Sequence, residues 1–133
     1  MSERDRNYPP LKYFKRSEFD CPCEKGSGEN MDAAFLQKLD KCRELAGIPF
    51  KINSGFRCKE YNEGLLAKGY KASKTSPHLK GLAADIATPT SSQRWKVLES
   101  AIKIGFNRIG IGKNFIHLDI DTEKSQEVVW HYY

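Results

Sequence analysis

Two histidines and one aspartate carry the strongest indication of chemistry in this sequence. His78 stands in a polar loop, and Asp85 lies in the apolar run Leu82-Ala83-Ala84-Asp85-Ile86, which is typical of a short buried strand. A carboxylate in a buried strand is costly unless it is paired or bound to a cation, so Asp85 needs a partner. His117 is a candidate partner. Two imidazoles and one carboxylate form the ligand set of a catalytic zinc ion with one position open for water.

The segment that contains His117 indicates how these side chains could meet. Residues 115–121 read Phe-Ile-His-Leu-Asp-Ile-Asp, and this alternation predicts a half-buried strand with His117 and Asp119 on the same face. In the alternative interpretation, His78 is a surface loop residue and His117 is a hydrogen-bonded histidine of the core. Spacing alone leaves both interpretations open.

Hydrophobic periodicity predicts an α+β fold, with a small antiparallel sheet flanked by helices. At 133 residues the chain is expected to form one domain and to bury a core without disulfides. Residues 1–30 are predicted to form an irregular N-terminal arm. The predicted helices span 32–46, 59–68 and 90–104, and the predicted strands span 48–54, 82–86, 106–111, 115–121 and 127–133.

Two of the predicted helices carry specific end signals. Asn30 can cap the start of the first helix, and Gly47 can end it. Thr90 and Gln93 form a capping box at the start of the third helix. The apolar face of this third helix is expected to bury Trp95, Leu98 and Ile102.

The net charge of +5 favours an anionic partner, such as nucleic acid or a bacterial wall polymer, although it is also ordinary for a soluble domain. No block of like charge and no aromatic-basic repeat is present, which argues against nucleic acid. The sequence has no run of 18 apolar residues, so we expect no membrane insertion. We also expect a monomer.

The first residues of the chain and its cysteines indicate the cellular compartment in which the protein is made. The first ten residues are charged and lack the apolar segment of a secretory signal, so we expect synthesis in the cytoplasm and release by another protein if the chain acts in the wall space. For such a chain, free and buried thiols are expected. A zinc site of all four cysteines, or one or two disulfides, remain alternatives. The cysteines are Cys21, Cys23, Cys42 and Cys58.

The residues around His78 also form a motif. The pattern Ser76-x-His78-x-x-Gly81-x-Ala83-x-Asp85, followed by a histidine on a late strand, resembles the signature of the D-alanyl-D-alanine carboxypeptidase family of zinc peptidases, the M15 family. That family includes peptidoglycan endopeptidases and shares its zinc-site architecture with the hedgehog signalling domain. The likeness covers most of residues 32–133. It extends to the turn Ser54-Gly55-Phe56-Arg57, to Asn62, to residues 115–119 and to the strand that contains Trp130.

The resemblance implies a role for each matching position. His78, Asp85 and His117 would be the three protein ligands of one zinc ion. Arg57 would polarise the scissile carbonyl or stabilise its oxyanion, and Ser76 would support the site or contact the substrate. Without the resemblance, Arg57 could be a surface charge on a turn, and Ser76 could be a loop cap.

One position departs from the family pattern. Many members carry an acidic residue, the general base, three positions before the last zinc histidine, where this chain has Asn114, an amide that cannot take a proton at neutral pH. Others have a histidine two positions before, where this chain has Phe115. Asp119 is the remaining candidate for the catalytic base, or alternatively it orients a zinc histidine. Asp121 and His131 are weaker candidates.

The resemblance implies a zinc metallopeptidase that hydrolyses peptide bonds in peptidoglycan stem peptides or cross-links, as a carboxypeptidase or an endopeptidase. Zinc would activate water, a carboxylate would move the proton, and Arg57 would stabilise the oxyanion. The small size and basic charge would suit a phage or prophage lysis enzyme. The alternative, which Asn114 keeps open, is a catalytically inactive zinc-binding module that recognises a wall peptide or a protein partner.

Overall fold

A five-stranded sheet lies at the centre of the fold. The computed structural model describes residues 8–70 and 73–133, and its strands lie in the order β1-β2-β4-β3-β5. Neighbouring strands are antiparallel except β3 and β5, which are parallel. The predicted α+β class with a small sheet is confirmed, and the sheet is mainly rather than wholly antiparallel. The strands are β1 (Ile52–Ser54), β2 (Ala83–Ala87), β3 (Arg108–Ile111), β4 (Phe115–Asp119) and β5 (Val128–His131).

One face of the sheet packs against two helices and forms the core. The helices are α1 (Ala33–Ala46) and α3 (Ser91–Ile104), while α2 (Lys59–Ala67) follows β1. Because strand side chains alternate between faces, the apolar residues of β2 and β4 point to the helices and the polar ones point away. The core side chains from the sheet include Ile86, Ile109, Ile116 and Leu118, and those from the helices include Phe35, Leu39 and Val97.

The helix ends follow local signals, with one correction. Asp32, rather than the predicted Asn30, caps α1, and its carboxylate accepts a hydrogen bond from the backbone N–H of Phe35 at 2.9 Å. Asn30 instead ends a short 3-10 helix, Ser27–Asn30. The predicted glycine end of α1 and the predicted capping box of α3 are both present.

The predicted buried face of α3 is wrong. Trp95 is 62% exposed and Ile102 is 58% exposed, while Leu98 is only partly buried against the core. The positions that face the core are instead Val97, Ser100 and Ala101. Their small side chains allow α3 to lie close to α1, where Ser100 Oγ is 3.3 Å from Cys42 Sγ.

The strands are mostly shorter than predicted. The first strand was expected over 48–54 but covers only Ile52–Ser54, and Pro49 has no N–H to donate to a neighbouring strand. The other strands begin or end within two residues of the predicted bounds, as does α2. None of the helices in the described parts of the chain combines the length and the apolar content that crossing a bilayer requires.

The N-terminal arm is fastened to the rest of the fold by its backbone. Between residues 8 and 30 it contains two short 3-10 helices, Arg16–Phe19 and Ser27–Asn30, and an isolated antiparallel bridge between Cys21 and Glu24. The carboxylate of Asp40 on α1 accepts hydrogen bonds from the backbone N–H groups of Lys12 and Tyr13, both at 3.0 Å. The described residues do not include 71–72 or 1–7. Residues 1–7 are most of the chain start in which no secretory signal was found.

Candidate metal centre

The three predicted ligands converge on the sheet face opposite the core. Asp85 and His117 stand directly across from each other on β2 and β4, with His117 Nδ1 2.9 Å from Asp85 Oδ1. His78 comes from the 3-10 helix Pro77–Lys80, and its Nε2 lies 3.2 Å from the same oxygen. One ligand atom from each residue lies within 4.8 Å of the other two. The structure therefore brings together the residues that were singled out from sequence.

The local fold around His78 explains its orientation. Ser76 precedes the 3-10 helix and caps it, because its hydroxyl accepts a hydrogen bond from the backbone N–H of His78 at 3.2 Å. Gly81 ends the helix with a φ of +72°, and a Cβ there would overlap the carbonyl oxygen of Asn30. His78 Nδ1 lies 2.8 Å from the carbonyl oxygen of Gly55, which leaves Nε2 facing Asp85.

Asp119 holds the other nitrogen of His117. His117 Nε2 lies 2.6 Å from Asp119 Oδ2, and the second oxygen of Asp119 accepts hydrogen bonds from Arg108 Nε at 2.6 Å and from the backbone N–H of Asp121 at 3.0 Å. Asp119 is fully buried. A carboxylate with both oxygens engaged in this way is typical of one that orients a metal-binding histidine. Of the two roles predicted for Asp119, the geometry favours orientation over proton transfer.

Arg108 is a site residue that the sequence analysis missed. It lies on β3, is 7% exposed and pairs with Asp119, while its guanidinium stacks 5.0 Å from the ring centroid of Trp130. The next residue on the same strand face is Gly110, where a Cβ would meet the rings of Trp130 and Tyr132. A charged residue in a buried strand needs a partner, so Arg108 is marked in the sequence by the same physical requirement as Asp85.

Arg57 lies beside the three candidate ligands. Its Nη2 is 3.6 Å from Asp85 Oδ2, and its side chain is only 12% exposed, so it is not a surface charge. Its Nε donates to the hydroxyl of Ser54 at 3.2 Å, and its Nη1 donates to the amide oxygen of Asn62 at 3.5 Å. These contacts hold the guanidinium at the edge of the site.

Burial and neighbouring charges have opposite effects on the pKa values of the three candidate ligands. Burial raises the pKa of Asp85, but the adjacent His78 and His117 outweigh it and hold the pKa well below its usual range. Burial lowers the pKa of His78 and prevails over the attraction of Asp85. Burial also lowers the pKa of His117, but its hydrogen bonds with Asp119 and Asp85 outweigh burial and raise the pKa to about 9. The hydrogen bonds with Asp119 and Asp85 are therefore the contacts that set the protonation of His117.

The three residues open onto a cavity of about 780 Å³. Among the described residues that line it, Asp85 and Asp119 are the carboxylates, and both are engaged. Asn114 is exposed on its lining, whereas Asp121 and His131, the weaker predicted bases, do not belong to it. The lining is rich in basic and aromatic side chains, including Arg57, Lys113, Lys124, Tyr61, Trp130 and Tyr132.

The donor set fits a zinc ion. Two imidazole nitrogens and one carboxylate oxygen are a common protein ligand set for catalytic zinc. Each imidazole also has its second nitrogen held by an acceptor, the carbonyl of Gly55 for His78 and the carboxylate of Asp119 for His117. This arrangement fixes the tautomer and ring orientation that metal binding requires. The cavity leaves room for a substrate on the remaining side.

Comparisons with known proteins identify the fold and the family of the chain. In fold, the chain is similar to the Serratia marcescens L-Ala D-Glu endopeptidase ChiX, with 15% sequence identity, a TM-score of 0.55, and 71% of this chain and 84% of that chain covered. No curated protein sequence matches the chain. The family model described as Peptidase M15 matches residues 12–119, which include all three candidate ligands. Since the match covers most of the sequence, the chain belongs to the peptidase M15 family.

Proposed function

We propose that the chain is a zinc metallopeptidase that hydrolyses peptide bonds in bacterial peptidoglycan stem peptides or their cross-links. The convergence of His78, Asp85 and His117 beside a cavity is the observation that carries this proposal. Membership of the M15 family, whose peptidases are generally zinc-dependent, supports it. The fold likeness to a protein described as an L-Ala D-Glu endopeptidase supports peptidoglycan as the substrate.

We assign the three convergent residues to one zinc ion. Zinc, when bound, supplies Lewis acidity that makes water a nucleophile near neutral pH and polarises a carbonyl. His78 contributes Nε2, because its Nδ1 faces the carbonyl of Gly55. His117 contributes Nδ1, because its Nε2 faces Asp119. Asp85 contributes the negative charge that balances the cation.

Arg57 is assigned to the oxyanion that develops on the scissile carbonyl. Its guanidinium lines the cavity next to Asp85 and presents a planar fork of N–H donors. Ser54 and Asn62 orient it before the substrate arrives, so little reorganisation is needed during the reaction. Ser76 caps the 3-10 helix that presents His78. Because Ser76 also lines the cavity, we assign it a contact with the substrate as well.

The cavity suits an anionic peptide. Arg57, Lys113 and Lys124 contribute positive charge to its lining, while its two carboxylates already face cationic or imidazole partners. Stem peptides carry free carboxylates that such a lining attracts. Its volume of about 780 Å³ is within the range that holds a short peptide segment. The net charge of +5 also supports the finer proposal of a phage or prophage lysis enzyme acting on an anionic wall.

Digestion of purified sacculi tests this function. We expect new peptide termini, identified by mass spectrometry, that disappear with a chelator and return when zinc is added. Release of terminal D-alanine alone would identify a carboxypeptidase, whereas cleavage inside the stem or at a cross-link would identify an endopeptidase. Sacculi that bind the protein but stay uncut with zinc present would contradict the hydrolase.

A second candidate function is a zinc-binding module without catalytic activity. Its support is specific: Asn114 occupies the position where many related enzymes carry an acid, and among the described cavity residues Asp85 and Asp119 are already engaged. This module would bind wall peptide through the same basic lining. The sacculus digestion separates it from the peptidase.

The Asn114→Asp substitution is expected to raise the turnover number at least about tenfold at neutral pH. A positioned general base contributes about 10²–10⁴-fold, and a carboxylate at this exposed position would recover part of that. The measurement is kcat on a soluble stem peptide at saturating zinc. Asn114→Gln keeps an amide and serves as the matched control, for which no gain is expected. Equal rates for the two variants would show that position 114 is not where proton transfer occurs.

The Asp119→Asn substitution is expected to lower the affinity for the catalytic metal rather than the rate of proton transfer. Loss of an orienting carboxylate typically lowers metal affinity about 10–100-fold. The measurement is the free zinc concentration that half-restores hydrolysis to chelated enzyme, in a zinc buffer. We expect this concentration to rise, with less than about a tenfold loss of kcat at saturating zinc. A kcat loss of about 10² or more at saturating zinc would instead identify Asp119 as the general base.

A further inference from the structure

A second cluster of metal-ligating side chains lies apart from the histidine site. Cys21 and Cys23 come from the N-terminal arm and Cys58 from the turn before α2, and their three sulfur atoms lie within 4.8 Å of one another. Cys21 Sγ is 3.2 Å from Cys23 Sγ and 3.6 Å from Cys58 Sγ, while the sulfurs of Cys23 and Cys58 are at bonding distance. We propose that these three cysteines bind one thiophilic metal ion, Zn²⁺ in the cell, as a structural site.

A shared metal ion explains this arrangement better than a disulfide does. Three sulfurs meet, so any single disulfide leaves a third thiol packed against it. The Cα atoms of Cys23 and Cys58 are 7.4 Å apart, beyond the span of about 4.4–6.8 Å that a disulfide usually bridges. Sulfurs bound at about 2.3 Å to a tetrahedral zinc lie about 3.8 Å from each other. The Cys21–Cys58 distance is close to that separation, whereas the Cys21–Cys23 distance is shorter.

Positive partial charges of the backbone surround the sulfur atoms of the cluster. Cys58 is the N-cap residue of α2, so its sulfur lies at the positive end of a nine-residue helix. The backbone N–H of Cys58 also donates a hydrogen bond to Cys21 Sγ at 3.4 Å. Cys21 is buried, whereas Cys23 is exposed, so an ion can enter the cluster from solvent.

The cluster joins the arm to the turn that carries Arg57. The backbone N–H of Phe56 donates to the carbonyl of Phe19 at 2.8 Å, and a Cβ on Gly55 would overlap Phe19. Arg57 immediately precedes Cys58, and the carbonyl of Gly55 faces His78. A metal at the cysteines would therefore hold the turn that positions two groups of the histidine site. Cys42 lies in the core beside Ser100, which rules out the four-cysteine site considered from sequence.

Cobalt substitution tests the site on the intact protein. Protein purified under reducing conditions and loaded with Co²⁺ is expected to hold two ions per chain and to show sulfur-to-cobalt charge-transfer absorption in the near ultraviolet. Cys58→Ser should lose this absorption and one ion per chain. His78→Ala should lose one ion but keep the absorption. Cys42→Ala, which removes a thiol outside the cluster, is the matched control and should keep both ions and the absorption.

The outcomes separate this site from the peptidase proposal. Wild-type protein without the charge-transfer absorption would overturn the cysteine site, and so would a Cys23–Cys58 disulfide found by mass spectrometry together with only one bound ion. Both of these measurements use the wild-type protein, so they remain decisive even if Cys58→Ser does not fold. If the histidine site binds no metal, the protein would still show the absorption but would hold only one ion and would not hydrolyse peptidoglycan. In the supported case, Cys58→Ser also has a lower melting temperature and a lower kcat than Cys42→Ala.

Discussion

Replacing Asp85 with asparagine is expected to remove one metal ion per chain and to reduce peptidoglycan hydrolysis by at least about 10³-fold, because the metal supplies several kcal/mol of transition-state stabilisation. Asp85 Oδ1 contacts both candidate histidine ligands, at 3.2 and 2.9 Å. The amide keeps the shape of the side chain but removes its charge. Without that charge, Arg57 and the two imidazoles have no anion between them that could offset a bound cation.

Elemental analysis and the sacculus assay measure this effect on the same preparation. His131→Ala is the control, because His131 is the third histidine of the chain, is exposed on β5 and does not line the cavity. We expect it to keep its metal and its activity. Thermal unfolding shows whether Asp85→Asn is folded. A folded Asp85→Asn protein with the full wild-type metal content would remove the basis for the assigned zinc site.

Replacing Arg57 with lysine is expected to lower kcat by about 10²–10³-fold, the usual effect of losing an oxyanion donor. Lysine retains a positive charge but not the planar fork of donors. The guanidinium uses separate nitrogens toward Ser54, Asn62 and Asp85, and one ammonium cannot reproduce that geometry. Metal content should be unchanged, because Arg57 is not a ligand.

Steady-state kinetics on a soluble stem peptide distinguish this role from substrate binding. An oxyanion donor acts mainly in the transition state, so kcat should fall while KM changes little. Arg43→Lys is the matched control, because Arg43 lies on α1, stacks on Tyr13 and does not line the cavity. A variant at position 57 that raises KM with kcat preserved would assign Arg57 to ground-state binding. Loss of metal would assign it to the zinc site instead.

The substitutions of Asp119 and Asn114 test whether a side chain of this protein acts as the general base. Asp119 accepts hydrogen bonds with both oxygens, and its contacts with His117 first and also with Arg108 keep it charged and fixed. It is therefore suited to hold His117 and poorly suited to shuttle a proton. If both predictions hold, activity in the native chain depends mainly on the metal and Arg57, and the amide at position 114 limits the rate.

Local signals together with the family motif were sufficient to predict the candidate ligands, and local signals alone predicted much of the secondary structure. A carboxylate in an apolar strand indicated that Asp85 needs a partner, and period-two alternation correctly placed His117 and Asp119 on one face. The capping box at Thr90 and the glycine end of α1 were also predicted correctly. These features depend on residues close together in the chain, so their energies can be assessed without knowing the tertiary fold.

The sequence by itself determined the fold class, the family motif and the three residues that could bind a metal. Only the tertiary structure decided which partner each polar group found: Arg108 against Asp119, Arg57 against Asp85, and Cys58 against the two cysteines of the arm. It also decided that α3 packs through small residues while Trp95 remains exposed. These contacts join segments that are far apart in the chain, and periodicity and capping, which act over a few residues, carry no information about them.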